Sequence, residues 1–378
     1  MPLARNRPVL CAPHLPLTLA LACLVLACTA GPAQAGSVDG VSDQSLATEW
    51  VGSVPSSQIR YARLVVPWDV MAPGSGETVH FGLLRSWLAD VKSLGLVPDV
   101  AVEQAEVEVA SDGESLPRVP ASPVLYRRYV SALLSYAASV GEPISYLEAW
   151  NEPNNVGLGT AGVGHPSART AAEYMNAATA LCAEDGCKPI AGDFLDADFR
   201  WAGHPEVHEG ATGMGAAYER EYDSFLDPVN PPVWGFHPYA AVKYETTEAI
   251  AEFRGALPDP DDSIWFTEVG VYECKAGQVT GGGGGAGEQE GGARYLSRLI
   301  ADDFSVAHTF YYELKSPSEV QEERCSGGED TSLYNYRGEA RGAAQILFGA
   351  AASPAVQGAS ADDGLGPLAG VAGDLWGP

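Results

Sequence analysis

Short apolar runs alternate with stretches of helical periodicity along most of this chain. Runs of strand length occur at 36–42 (GSVDGVS), 61–68 (YARLVVPW), 96–104 (LVPDVAVEQ), 145–152 (SYLEAWNE), 188–194 (KPIAGDF), 233–239 (VWGFHPY), 263–270 (SIWFTEVG) and 307–314 (AHTFYYEL). Between them, Leu125, Tyr129, Val130, Leu133 and Leu134 recur at helical spacing, and Ala171, Tyr174, Met175, Ala178 and Leu181 form a second stripe. Segments 80–95, 215–225, 246–257 and 291–304 predict further helices. Eight strands alternating with helices predict an α/β fold, a single (β/α)8 TIM barrel over 36–352. The rival doubly wound sheet favours a glycine fingerprint after its first strand, and GVSDQS (40–45) supplies none.

Two segments depart from this pattern. GGGGGAGEQEGG (281–292) predicts a flexible loop before a helix. Residues 353–378 are small, acidic and unpatterned, which predicts disorder.

At the N-terminus, Arg5 and Arg7 precede an apolar run from Leu15 to Ala30 and then Ala33-Gln34-Ala35. That order predicts a secretory signal peptide over 1–35 and a secreted protein. Val25-Leu26-Ala27-Cys28 is a poor lipoprotein box; used as one, it would tether the protein to a membrane surface at Cys28. Cleavage removes two of the 22 basic residues and none of the 49 acids, leaving 20 against 49, a formal charge of −29. Such an excess argues against nucleic acid or anionic membrane as a partner. It fits a neutral oligo- or polysaccharide instead. Three of the seven cysteines also leave, and the remaining four suggest disulfides. Cys182 and Cys187 enclose four residues and are expected to pair, with Cys274 and Cys325 as the second bridge.

Active sites of such barrels lie at the C-terminal ends of the strands. Strand 4 ends in Asn151-Glu152, strand 6 in His237-Pro238-Tyr239 and strand 7 in Glu268-Val269-Gly270, while strand 2 carries Arg63, then Trp68. A period of two places Glu148, Trp150 and Glu152 on one side of strand 4. A carboxylate is costly to bury alone. Two of them facing each other across a barrel mouth are what glycosidic bond cleavage requires.

EAWNEPN (148–154), followed by WFTEVG (265–270), resembles the retaining glycoside hydrolases of clan A, family 39 and its neighbours above all. The similarity covers most of 60–345, with specificity confined to the strand-end motifs. It implies that Glu152 is the general acid/base and Glu268 the nucleophile of a double displacement on a β-linked glycan. It further implies that Asn151 bonds the sugar 2-hydroxyl, that Arg63 steadies the nucleophile, and that His237 and Tyr239 form the strand-6 His-x-Tyr. No cofactor is implied. Where the family commonly ends strand 8 in a Trp platform, this chain has FYYEL, so Tyr312 or Glu313 stands there, and Glu313 is a candidate for binding a sugar hydroxyl.

Other readings stand beside these. Arg63 could neutralise Glu148 inside the barrel, and His237 could be a packed core histidine. Trp68, Trp201, Trp234 and Tyr272 could stack on sugars or belong to the core. His204 and His208 have i, i+4 spacing, but Pro205 argues against a helical metal site, and the acid-proline stretches at 227–228 and 258–262 are expected to be turns. A non-catalytic carbohydrate-binding or cell-envelope barrel would use the same fold, although it has no need of Glu152, Glu268, Asn151, Tyr239 and Arg63 together. A transglycosylase would use the same two glutamates.

Overall fold

The structure is a computed structural model, and it describes residues 38–44, 46, 58–72, 79–105, 119–155, 165–198, 215–227, 233–272, 274–275, 286–301, 306–316 and 329–349. Expectations for residues 1–35, Trp201, His204, His208, 281–285, Cys325 and 353–378 lie outside the described residues, as does the side chain of Cys274.

Eight parallel strands close into a barrel in sequence order. They are β1 (Gly40–Ser42), β2 (Tyr61–Pro67), β3 (Val97–Glu103), β4 (Tyr146–Glu148), β5 (Lys188–Leu195), β6 (Val233–His237), β7 (Ser263–Val269) and β8 (Val306–Tyr311). The ring closes where Gly40 and Val41 of β1 align with Phe310 and Tyr311 of β8. A Cβ at Gly40 would stand 2.5 Å from the Phe310 ring, so glycine there lets the seam close. Described helices follow most strands: α1 (Val79–Leu94), α2 (Pro123–Ser139), α3 (Ala168–Asp185), α4 (Gly215–Ser224), α5 (Tyr239–Lys243), α6 (Glu248–Ala256), α7 (Ala286–Ala301) and α8 (Gly342–Phe348). The expected (β/α)8 barrel is therefore the observed fold. Among the described residues no helix is long and apolar enough to cross a membrane.

The apolar matter divides in two. A large cluster fills the space between strands and helices and includes Leu64 and Val66 of β2, Trp87 and Leu88 of α1, and Leu133 and Leu134 of α2. A small cluster of Ile190, Trp265 and Phe310, with Tyr61, Tyr146 and Val233 packed against it, lies inside the barrel. All but Phe310 sit early in their strands, and Phe310 aligns with Gly40 at the start of β1, so together they floor the barrel near its N-terminal end. Above that floor the interior turns polar.

Three sequence expectations are corrected. β4 stops at Glu148, and Trp150 leaves the expected face to stack on Tyr174 of α3 at 5.4 Å, so the alternation through Glu152 does not hold. Trp68 follows β2 in a turn; with Arg63 inward, a period of two sends Trp68 outward, and it lies 1% exposed in the core, edge-on to Tyr129 at 5.2 Å. It offers no face to a sugar. Helix α7 starts at Ala286, inside the stretch expected to be a loop, because Glu288 and Gln289 support a first turn that the glycines alone would not.

Cys182 and Cys187 form the expected disulfide at the end of α3, with Gly186 between them at φ 87°. Gly186 sits in the left-handed cap that ends the helix, a conformation glycine adopts without steric cost.

Candidate active site

Arg63 is the centre of the polar interior. It is 0% exposed, and its three nitrogens reach five side chains. Nε and one terminal nitrogen donate to Glu148 at 2.9 and 2.7 Å. The same terminal nitrogen donates to Asp193 at 2.7 Å and to Asn151 at 2.8 Å. The other donates to Glu268 at 2.5 Å and to Ser42 at 3.1 Å. Both readings of Arg63 therefore apply at once: it neutralises Glu148 and it braces Glu268. A planar guanidinium with five donors can serve that many partners, where a lysine could not.

Glu268 ends β7. One carboxyl oxygen receives Arg63 and, at 3.3 Å, Ser42; the other receives the Tyr239 hydroxyl at 2.8 Å. Tyr239 opens the short helix α5, which is anchored by Asp196 accepting from the backbone N–H groups of Ala240 and Ala241 at 3.1 and 2.7 Å. Tyr272 is half-buried next to Tyr239, with ring centroids 6.0 Å apart.

Glu152 reaches the mouth by a different route. It has φ 44°, an uncommon backbone for a residue other than glycine and a conformation that clusters at functional sites. Three contacts hold it there. The Asn151 N–H donates to the Val102 carbonyl at 2.7 Å, the Glu152 N–H donates to the Asp193 carbonyl at 3.1 Å, and Asn154 exchanges two hydrogen bonds with the backbone of Leu195. The carboxylate thus lies in a turn beyond the end of β4, and that turn aims it at His237. Its side chain accepts from Asn155 at 2.9 Å and meets His237 Nδ1 at 2.9 Å.

Burial pushes the Glu152 carboxyl above its ordinary pKa, and the charge of Glu268 adds to this against the opposing pull of His237 and Asn155. Burial would lower His237, but Asp193, Glu152 and Glu268 outweigh it and lift the imidazole to about 10. Asn151 gives its carbonyl oxygen to Arg63; among the described residues its amide nitrogen makes no hydrogen bond, which leaves it available as a donor.

Oxygens of Glu152 and Glu268 and a nitrogen of His237 all lie within 4.8 Å of one another. The trio resembles a ligand set, but its histidine is already engaged. Both His237 nitrogens already face carboxylates, at 2.9 and 2.8 Å, and one of those carboxylates, that of Asp193, lies outside the trio.

Six of the expected site residues, Arg63, Asn151, Glu152, His237, Tyr239 and Glu268, therefore meet in one constellation. Trp68 does not join it. Tyr312 and Glu313 follow β8 through a cis peptide. The Tyr312 phenol lies in the field of Glu268, whereas the Glu313 carboxyl faces Asp43 and Asp330 and is pushed well up by burial and by those two acids. Sequence reasoning missed Asp193, Ser42, Asn154 and Asn155. For Asp193 the available signal was an acid inside an otherwise apolar strand run, IAGDFL.

Beneath Arg63 lies Asp99, aligned with it across β2 and β3. It is 0% exposed, and among the described residues neither carboxyl oxygen meets good hydrogen-bond geometry, its nearest approach to a partner being the Glu148 carboxyl. Burial pushes its pKa up to about 7, with Asp193 adding and Glu148 and Arg63 opposing. A carboxyl whose folded pKa is raised binds its proton more tightly when folded. Its contribution to stability is therefore present below the unfolded value of about 4 and is lost as pH rises to about 7. Asp99→Asn is expected to gain urea midpoint relative to wild type across that window, by roughly 2–4 kcal/mol in total, and to be flat above it. Parallel midpoint curves from pH 4 to 8 would contradict this.

No protein-family model matches this sequence, and no curated protein sequence does. Solved structures do resemble it. A family 39 glycoside hydrolase from Bacteroides cellulosilyticus WH2 aligns with TM-score 0.52 at 12% identity, covering 83% of this chain and 64% of that one. A GH5_18 from Bifidobacterium longum subsp. infantis aligns with TM-score 0.52 at 13% identity, covering 81% and 72%. GH5_18 from Streptomyces cattleya, in complex with GlcNAc, aligns with TM-score 0.50 at 13% identity, covering 83% and 79%. At such identities the likeness is one of fold: the chain shares its closed eight-stranded parallel barrel with glycoside hydrolases.

Proposed function

We propose that this protein is a retaining glycoside hydrolase acting on a β-linked glycan. One observation carries the reading: two glutamates at the barrel mouth, one in the turn after β4 and one near the end of β7, each bring one carboxyl oxygen within 4.8 Å of the other's. Carboxyl separation divides retaining enzymes, at about 5–5.5 Å, from inverting ones, at about 6.5–9.5 Å, and a closest approach of single oxygens inside 4.8 Å favours the former.

The environments divide the labour. Glu268, with Arg63 as counter-charge and Tyr239 and Ser42 fixing its oxygens, attacks the anomeric carbon. Glu152, its pKa raised by burial, gives its proton to the departing glycosidic oxygen. The C–O bond to the leaving group breaks as the bond to Glu268 forms. Glu152, now ionised, then takes a proton from water. The resulting oxygen attacks the same carbon and releases Glu268, so the anomeric configuration is restored and both carboxyls return to their starting states. Asn151 is placed to donate to the sugar hydroxyl next to the reacting carbon, and Tyr272 to flank the sugar beside Tyr239. Secretion completes the proposal, since the Cys182–Cys187 disulfide suits an oxidising compartment.

Purified protein offered a panel of aryl β-glycosides and β-glucans, β-mannans and β-xylans should release product whose first-formed anomer, followed by proton NMR, is β. An α-anomer formed first would overturn retention, and binding without turnover would favour a carbohydrate-binding barrel.

A further inference from the structure

We propose that Asp193 is the positioning residue that joins the two arms of the site, holding His237 as a proton donor toward Glu152 and Arg63 against Glu268. The proposal rests on the hydrolase reading above.

Asp193 lies in β5 and is 1% exposed. One carboxyl oxygen meets His237 Nε2 at 2.8 Å and accepts from the Thr267 hydroxyl; the other accepts from Arg63 at 2.7 Å. Its backbone carbonyl accepts from the Glu152 N–H at 3.1 Å. One residue thereby touches the strand behind the acid/base, the imidazole that faces it, and the arginine that braces the nucleophile.

The local backbone is built for this contact. Gly192 has φ 81° and Asp193 has φ 61°, and the register between β5 and β6 slips between Gly192 and Phe194. A bulge of this kind re-aims a side chain, and aspartate tolerates the left-handed region better than most residues. On β6, Gly235 leaves room for the Asp193–Thr267 contact to pass across the strand. A Cβ there would stand 2.9 Å from both the Asp193 oxygen and the Thr267 hydroxyl.

Removing the charge has a definite effect. His237 Nε2 and an Arg63 nitrogen lie 3.5 Å apart, two donors facing each other. Asp193, between them, makes that arrangement tolerable, and with Glu152 and Glu268 it keeps the imidazole protonated. An imidazolium donating to Glu152 stabilises the carboxylate formed when the proton leaves for the sugar oxygen.

The test uses the full chain with Asp193→Asn. Nitrogen NMR of labelled histidine, with His237 assigned by the signal lost in His237→Gln, should show both ring nitrogens of the wild type protonated to about pH 10. In Asp193→Asn that titration should fall by two pH units or more. The variant should lose roughly 10–100-fold in kcat/KM on an unactivated β-disaccharide, and only severalfold on a dinitrophenyl glycoside, where little acid assistance is needed. Gly235→Ala, which crowds Asp193 while keeping its charge, should move both readouts in the same direction by less. An unchanged His237 titration, or equal losses on both substrates at unchanged melting temperature, would overturn the proposal. A wild type that cleaves no glycoside while His237 still titrates near 10, and lower in Asp193→Asn, would refute the hydrolase reading and uphold the link.

Discussion

Glu152→Ala is expected to divide substrates by their leaving groups. A natural glycan departs as an alkoxide and needs the proton, so kcat/KM on it should fall by a factor on the order of 10²–10⁴. A dinitrophenyl glycoside departs unaided, and Glu268 can still attack it. Turnover then stalls at the glycosyl-enzyme, because no base activates water. Azide needs no base and should restore turnover, yielding a β-glycosyl azide. Glu268→Ala should abolish turnover of both substrates, since no intermediate forms. Equal loss on both substrates for Glu152→Ala, without azide rescue, would reject the acid/base role. The buried carboxylate at φ 44° would then be held in place by Asn155 and His237 for another purpose.

Arg63→Met is expected to damage the fold as well as the site. The guanidinium is 0% exposed and pairs with Glu148, Asp193 and Glu268 at 2.7, 2.7 and 2.5 Å. Taking away one partner of a buried ion pair typically costs about 3–5 kcal/mol, because the remaining charge is left uncompensated in a poor solvent. Three carboxylates depend on this one cation, against a typical domain stability of about 5–15 kcal/mol. The variant should therefore show a large loss of urea midpoint. Part of that loss should return at low pH, where Glu148 can take up a proton, and in the double variant with Glu148→Gln. A midpoint within 1 kcal/mol of wild type at neutral pH would show that the network contributes little.

Much of this architecture was legible in the sequence, and the exceptions have physical causes. Apolar runs marked most of the strands, since strands buried on both faces read as continuous apolar stretches rather than alternating ones, whereas GSVDGVS at the first strand has only Val38 and Val41. The ends of those runs were less visible. Nothing in YLEAWNE distinguishes a strand ending at Glu148 from one ending at Glu152, because the turn is set by contacts with Val102, Asp193 and Leu195 on neighbouring strands. Trp68 stayed open between a sugar platform and the core because position along the chain was visible and direction was not. Its outward direction follows once Arg63 is known to point inward. Asp193 escaped notice for a related reason. A bulge depends on how two strands slip against each other, and a period-two reading of one strand cannot contain it. Arg63, His237 and Tyr239 came from motif resemblance, and the structure brings them together with both glutamates.

The bond between Arg63 and Glu268 joins residues 205 positions apart, and that between Ser42 and Glu268 spans 226. Folds dominated by such distant contacts reach their native state slowly, since the entropy of closing a long loop is lost before the contact can repay it. A chain folded only through β6 would hold Arg63 against Glu148 and Asp193, with the third acid still missing. The arrival of β7 brings Glu268 to Arg63, one strand before β8 closes the ring on Gly40. A half-built barrel therefore has no competent centre to expose.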